Sequence, residues 1–329
     1  MRILFRVDSS LEIGTGHVVR CLSLAHALRN NGHQVSFWSL DLPGNDLSSI
    51  RKNGYSLFDP ASSDRFDLAI VDHYGIDQEG ENHIRQWATS LVAIDDWGTR
   101  LHHADLILDP SVSTQSTLRI KANPTTPFLT GFDWLLMRDD FKKLHPEVPP
   151  RTEFKKVLLF FGGTDPQSQC LSYLEALLQS QNEFNHLEFH MMVSAVHPTL
   201  KQMQSLKLPN HVHLEVSPPS VAKLMRNSDL YLGSSGTVTW ERMAMGLTGL
   251  IVSVVDNQED IAKNLDQMGF HRYLGKCQDV TPKFALEKLK ELLNQSEMIS
   301  RMSSLCYQKV DGQGVDRFVQ ELENRFKAT

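Results

Sequence analysis

The residues best suited to chemistry lie in a few short turns, each following an apolar run. The first is "SSLEIGTGHVVR", which follows "RILFRV" (2–7) near the N-terminus. Gly14 and Gly16 flank a threonine, His17 follows at once, and a helical pattern begins. Free backbone N–H groups at a helix start favour an anion, but without Gly-Lys-Ser/Thr this is no Walker loop, and Gly-x-Gly alone is weak evidence. The positive helix end also disfavours an imidazolium, so His17 is expected to stay neutral and able to accept a proton. Asp8, at the end of the first strand, is close enough in sequence to orient it. With Gly14 and Gly16, Asp8 also counts among the candidate substrate contacts. The competing reading is a surface or capping histidine in a tight turn. The coincidence of strand end, glycine turn and helix start argues against it.

Two further turns carry polar groups in the same half. "VDHYG" (71–75) places Asp72, His73 and Tyr74 at the end of the third strand, where a substrate could touch them. A turn-forming Asp beside a half-buried aromatic explains that stretch about equally well. "IDDWG" (94–98) adds Asp95 and Asp96. Adjacent carboxylates on an extended chain point to opposite sides, which makes them a poor acid/base pair.

The second half supplies phosphate-type turns. "LLFFGGTDPQ" (158–167) runs a buried strand into Gly162-Gly163-Thr164-Asp165. There the backbone can close on a phosphate and Thr164 can donate its hydroxyl hydrogen. The stronger stretch is "LYLGSSGTVTWERMAMGLTGLIVSVVDNQEDIAKNL" (230–265). Ser234, Ser235, Gly236 and Thr237 form a small polar loop at a helix start, suited to a diphosphate. Glu241 follows one helical turn later, where a carboxylate can accept hydrogen bonds from both ribose hydroxyls. Asn257 and Gln258 open the next helix and can bond a sugar or its phosphate linker. A capped helix with a solvent-facing Glu is the alternative.

The elements that must hold these turns alternate throughout. In the first half, strands are expected at 2–7, 34–39, 67–72, 91–96 and 105–110, with a helix over 17–31 that Asn31-Gly32 stops. In that helix Val18, Cys21, Leu22, Leu24, Ala25 and Leu28 share one face. The alternation restarts with strands at 156–161, 186–193, 212–216, 229–233 and 249–255. Strands alternating with helices imply parallel sheets of βαβ units, with ligands beyond the carboxyl ends of the strands. "KKLHPEVPPRTEFKK" (142–156) has linker composition, so the expected division is 1–145, 153–311 and a last helix (312–329) that could cross back to the first domain. Two open α/β domains of this kind are expected to form a cleft in which one holds a ligand and the other attacks it.

Bulk properties narrow the partners. A chain of 329 residues, 41% hydrophobic and 22% charged, can bury two cores. A net charge of −6 gives no reason to expect nucleic acid or an anionic membrane. Cys21, Cys170, Cys277 and Cys306 are scattered and read as reduced thiols. His102-His103 and the pair His211/His213 lack a third ligand at metal spacing, so no metal and no cofactor is expected. No signal-peptide pattern and no apolar run near the roughly 18 residues of a membrane span are present. The expectation is a cytoplasmic monomer whose partner is a small anionic molecule.

Taken in order, these motifs resemble known enzymes. The double α/β layout with "GSSGTVTWERMAMG" and "DNQ" resembles two-domain nucleotide-sugar enzymes of the GT-B type, such as the UDP-N-acetylglucosamine transferase of lipid II synthesis. "FRVDSSLEIGTGHVVRCLSLAHAL", "VDHYG", "IDDWG", "GFDWLLMRDDF" and "FFGGTD" are similar to the UDP-releasing hydrolases of pseudaminic acid biosynthesis, which act on UDP-2,4-diacetamido-2,4,6-trideoxy-β-L-altropyranose. The matches run from residue 4 to about 265. The resemblance implies a GT-B fold of two Rossmann-like domains and replacement of UDP by water at the anomeric carbon. His17 would be the general base, and Arg138, Glu241 and Asn257 substrate contacts. It implies C–O cleavage with inversion and a product destined for flagellin or surface glycans. One departure is that the lipid II enzymes carry two adjacent glutamines where this chain has Asn257-Gln258. Two rival readings are a glycosyltransferase using a UDP-amino sugar and a nucleotide-sugar-binding protein without turnover. The polar, mixed-charge stretch 42–67 lacks the apolar, basic patch that a transferase acting at a membrane would want.

Overall fold

The computed structural model describes residues 1–10, 12–97, 100–112, 118, 120–121, 123–163, 165 and 167–326, with Gln181, Asn182 and Asn257 described in their backbone only. The chain divides into two compact units, one made of Met1–Asp139 with Gly312–Thr329 and the other of Asp140–Asp311.

In the first unit the apolar runs become strands β1 (Arg2–Val7), β2 (Gln34–Trp38), β3 (Ser56–Leu57), β4 (Phe66–Asp72), β5 (Ala88–Ile94), β6 (Leu106–Asp109) and β7 (Phe128–Thr130). They form one sheet in the order β3-β2-β1-β4-β5-β6-β7, and every pairing is parallel. A parallel strand is covered on both faces, which is why Ile3, Leu4 and Phe5 of β1 are apolar in succession and not in alternation; Arg6, the buried exception, is paired with Asp8. Ile3, Phe5 and Val7 of β1 enter one core cluster, and Leu4 enters a cluster on the opposite face. Helix Gly16–Asn30 lays Val18, Cys21, Leu22, Leu24, Ala25 and Leu28 into the first of these.

The last helix, Gly314–Phe326, adds Val315, Phe318, Val319 and Leu322 to that same cluster. A Cβ on Gly314 would lie 2.2 Å from the Leu135 carbonyl oxygen, so only glycine allows this approach. Glu323 then reaches His33 Nε2 at 2.9 Å.

The second unit repeats the plan. Strands β8 (Lys156–Phe160), β9 (Glu188–Val193), β10 (Val212–Val216), β11 (Leu230–Ser234), β12 (Gly249–Ser253) and β13 (Arg272–Lys276) order as β10-β9-β8-β11-β12-β13, again all parallel. Both sheets therefore follow the doubly wound 3-2-1-4-5-6 order, which reverses beside the first strand of each unit. The two switch points lie between β1 and β4 and between β8 and β11. Ligands of such sheets bind there, beyond the carboxyl ends of the strands.

The stretch expected to be a linker is built structure. It holds helix Asp139–Leu144 and a 3-10 turn His145–Glu147, and its later residues pack into the second unit. Buried Arg151 donates from Nε to Ser228 O at 3.0 Å and from Nη2 to Met225 O at 3.0 Å. These carbonyls belong to the last turn of helix Val221–Arg226 and to the residues just after it, where helical partners run out. His145 Nδ1 meets Ala244 O at 2.7 Å, and its ring stacks on Tyr307 with centroids 4.2 Å apart. The prolines that gave the stretch its linker composition follow helix Asp139–Leu144 and lead directly into packed chain.

Candidate active site

At the first switch point the loop after β1 folds on its own serine. Ser10 Oγ accepts the N–H groups of Glu12 and Ile13, its carbonyl accepts the Gly14 N–H at 2.9 Å, and Gly14 turns the chain with φ +77°. Helix Gly16–Asn30 starts immediately, so His17 sits in its first turn, 8% exposed. His17 Nδ1 lies 2.7 Å from Asp72 Oδ1, the last residue of β4. A carboxylate only accepts, so Nδ1 faces Asp72 as the donor, with Arg20 Nη2 3.1 Å from the same nitrogen, and Nε2 is the ring nitrogen without either partner.

Arg20, one helical turn after His17, fixes that carboxylate. It donates from Nε to Asp72 Oδ2 at 2.6 Å and from Nη2 to Asp72 Oδ1 at 2.6 Å, a two-pronged pair. Its Nη1 donates to Asp96 Oδ2 at 2.5 Å. Asp96 in turn accepts the Tyr74 hydroxyl hydrogen at 2.7 Å, and the Tyr74 ring meets the His17 ring edge-on at 4.6 Å. Trp97 packs against the outer side of Tyr74, with centroids 5.1 Å apart. One arginine thus ties together residues from the ends of β4 and β5 and from the helix after β1.

The electrostatics follow from burial and pairing. Burial alone would raise the Asp72 carboxyl, but the charges of Arg20 and His17 and their hydrogen bonds hold it well below the usual carboxylate range. Asp96 is likewise held down by Arg20 against its burial. Arg20 is pushed above the usual guanidinium range, its burial outweighed by Asp72 and Asp96. Burial and the Asp96 charge push the Tyr74 phenol far up, so it stays a donor at any working pH. Cys21 Sγ, 3.4 Å from Asp72 Oδ2, is raised by burial and by that carboxylate, so it remains a thiol.

Asp8 does not orient His17, contrary to what nearness in sequence suggested. Its carboxylate accepts from Arg6 Nη1 at 2.7 Å, from Arg6 Nη2 at 2.8 Å and from the Leu40 N–H at 2.8 Å, and it lies 3.2 Å from His73 Nε2. Residues 6 and 8 share one side of an extended chain, so Asp8 is taken by its own strand neighbour. Asp72, 55 residues from His17, fills that place because β4 pairs directly with β1. His73 therefore belongs with Asp8, whereas Tyr74 belongs with His17.

A second buried network stands behind these loops. His102 lies between Glu81 Oε1 at 2.6 Å from Nδ1 and Asp95 Oδ2 at 3.0 Å from Nε2. Burial alone would lower it, but the two carboxylates raise it to about 9. Arg100 bonds Asp95 through Nη2 at 3.0 Å, and its Nη1 reaches the carbonyls of His73, Tyr74 and Ile76. Asp95 and Asp96 thus serve different partners, as adjacent residues on an extended chain should. Arg20 and Arg100 are not singled out by the sequence, and His102 is weighed there only as a metal ligand. The i, i+3 spacing of His17 and Arg20 was the available signal for the first.

At the second switch point, the turn after β8 leaves Gly163 exposed, and its carbonyl accepts from Ser194 Oγ at 3.0 Å. Asp165 takes a left-handed backbone, φ +36°, and both its oxygens accept helix-start N–H groups, from Gln169 at 2.9 Å and Cys170 at 2.7 Å. After β11, Ser235 is buried and Gly236 exposed, and helix Thr237–Ala244 begins. Ser235 Oγ donates to Gln258 O at 3.3 Å, and Gln258 Oε1 accepts the Val254 N–H at 3.0 Å. Ser235, Gly236 and Gln258 are thereby brought together. Glu241 is only 7% exposed and not the solvent-facing residue of the alternative reading. Thr164 and the Asn257 side chain lie outside the described residues. Arg138 is half-buried in the last residues of the first unit's long segment.

Among the described residues one group could geometrically hold a metal, Asp165, Cys170 and His197, all buried. Both Asp165 oxygens already take backbone N–H groups, and burial raises the Cys170 thiol, so the arrangement reads as a helix cap with a paired histidine. Among the described residues no helix is long and apolar enough to cross a membrane.

No protein-family model matches the chain. It is 28% identical over 285 residues to the UDP-2,4-diacetamido-2,4,6-trideoxy-beta-L-altropyranose hydrolase of Campylobacter jejuni, covering 82% of this chain and 98% of that one. It is 20% identical to the spore coat polysaccharide biosynthesis protein SpsG of Bacillus subtilis, covering 99% of each. Among solved structures it is similar to Acinetobacter baumannii MurG, with a TM-score of 0.67 at 14% identity over 98% of this chain and 99% of that one. The spinosyn rhamnosyltransferase SpnG gives a TM-score of 0.68 at 15% identity over 98% and 100%. With two parallel sheets wound in the same order, the chain has the GT-B fold, and in sequence it is similar to a UDP-sugar hydrolase.

Proposed function

We propose that the protein hydrolyses a UDP-linked 2,4-diacetamido-2,4,6-trideoxyhexose to the free sugar and UDP. The observation that carries this reading is the His17–Asp72–Arg20 arrangement at the first switch point, in a chain similar to a hydrolase of that substrate. The Asp72 carboxylate fixes the Nδ1–H tautomer, so Nε2 is the atom that accepts a proton from water. As the imidazolium forms, the buried carboxylate stabilises it, and Arg20 keeps that carboxylate ionised and in place. The oxygen of that water bonds to C1 while the C1–O bond to the diphosphate breaks, and the electron pair leaves with UDP. Displacement from the opposite face inverts C1.

The second unit is assigned the nucleotide. Gly163 with Thr164 and the turn Ser235–Gly236–Thr237 supply backbone N–H groups for the diphosphate, where leaving charge develops. Glu241 is assigned the ribose, and Asn257, Gln258 and Arg138 are assigned substrate contacts. Gly14 and Gly16 shape the turn that carries His17. The chemistry as written needs no metal.

The test is hydrolysis of the UDP-diacetamido sugar in H₂¹⁸O, followed by ³¹P NMR and mass spectrometry of the products. The label is expected in the sugar, and His17→Ala is expected to lose about 10²–10⁴-fold in kcat. Label in the phosphate overturns C–O cleavage, and full activity of His17→Ala overturns the base. Release of UDP only when an alcohol acceptor is present would make the protein a transferase.

A further inference from the structure

Trp97 has no part in the proton chemistry, yet its ring adjoins the residues that carry it. It follows Asp96 directly, and the residue is 52% exposed, unusual for one with so large an apolar ring. It is not a loose surface residue. Its backbone N–H donates to Asp95 Oδ1 at 3.0 Å, and Asp95 is itself bonded to Arg100 and His102. The preceding residue, Asp96, is held by Arg20 and Tyr74. The inner side of the indole rests on Tyr74 at 5.1 Å with 58° between planes, and Tyr74 meets His17 at 4.6 Å. His17, Tyr74 and Trp97 therefore form a stepped aromatic wall that leads from the candidate base out to solvent. Only the last ring offers a broad open surface.

We infer that Trp97 is a specificity residue, an aromatic platform for the apolar substituents of the sugar. The inference rests on the hydrolase reading above and deepens it. If Nε2 of His17 addresses water at C1, the sugar ring lies alongside the wall, and groups away from C1 extend toward Trp97. A 2,4-diacetamido-2,4,6-trideoxy sugar carries a methyl at C5 and an acetamido group at C4, where N-acetylglucosamine, which shares the C2 acetamido group, carries a hydroxymethyl and a hydroxyl. C–H groups favour the negative face of an indole, and a hydroxyl placed there loses water without gaining a partner. The ring thus rewards the deoxy, acetamido substrate and disfavours its hydroxylated counterpart.

The test compares wild type, Trp97→Ala and Trp97→Phe in steady-state hydrolysis of two donors, the UDP-diacetamido-trideoxy sugar and UDP-N-acetylglucosamine. Trp97→Ala is expected to lower kcat/KM for the first about tenfold, chiefly through KM, and to change the second little. Trp97→Phe should restore most of the loss. The Ki of UDP should not move, because the ring touches sugar and not nucleotide; that measurement separates lost recognition from a damaged fold. An unchanged donor ratio in Trp97→Ala, with wild type active, overturns the inference alone. A wild type inert toward both donors overturns the functional reading and this inference with it.

Discussion

Replacing Asp72 by Asn keeps the shape of the side chain and removes the charge on which the site turns. In the native protein Oδ1 accepts from His17 Nδ1 at 2.7 Å and from Arg20 Nη2 at 2.6 Å, and Oδ2 accepts from Arg20 Nε at 2.6 Å. An amide has one accepting end. If its oxygen stays with Arg20 Nε, its NH₂ faces His17 and donates to Nδ1. The imidazole must then carry its proton on Nε2, the atom that should accept one from water. Catalysis should fall about 10²–10⁴-fold in kcat, close to the loss from His17→Ala, while the Ki of UDP stays the same. Stability should fall as well, since buried Arg20 keeps only Asp96 as a counter-charge. Breaking one side of a buried pair costs about 3–5 kcal/mol, and less where a second carboxylate remains. The decisive assay is a double-mutant cycle in UDP release. If Asp72 acts through His17, adding Asp72→Asn to His17→Ala should cost almost nothing further in kcat. A single Asp72→Asn variant that is folded and within threefold of wild-type kcat would refute the tautomer argument.

Two other outcomes follow from packing and charge. His102 is raised to about 9 from 6.5 by Glu81 and Asp95, so its contribution to stability is fully present below pH 6.5 and is lost as pH rises through 9. The gap in unfolding free energy between wild type and His102→Asn should therefore shrink across that window by up to about 3 kcal/mol, measured by denaturant titration, and a constant gap would refute it. Gly314→Ala places a Cβ against the Leu135 backbone, so it should lower stability by about 1–3 kcal/mol in thermal or denaturant unfolding; an unchanged midpoint would show that the helix can shift freely.

The buried apolar runs made β1, β4, β5, β8 and β11 legible in sequence, because strands covered on both faces leave little room for polar residues. The strands that escaped notice are peripheral. β3 has two residues, β7 has three, and β13 is half-buried with one charged residue at each end, so none carries a run long enough to read. His17 was legible because its signal is local, a glycine turn at a helix start. Its carboxylate partner was not. The choice between Asp8 and Asp72 depends on which strand lies beside β1, and that adjacency is a property of sheet order. Similarly, the prolines and charges of 142–156 are consistent with both a tether and a packed connection. Only the carbonyls of Met225, Arg226 and Ser228, some 75 residues away, decide that Arg151 is buried.

The helix Gly314–Phe326 has a consequence for the order in which the chain acquires its shape. The unit 140–311 is continuous, so every residue of its core exists before residue 312 is synthesised. The unit that contains His17 is split, and Val315, Phe318, Val319 and Leu322 fill part of its core from the far side of the sequence. During translation the first half to leave the ribosome is therefore the last to be completed. Until helix Gly314–Phe326 docks, the core that the sheet and helix Gly16–Asn30 share lacks four of its apolar side chains, so the unit carrying His17 can close only after the other unit has been made.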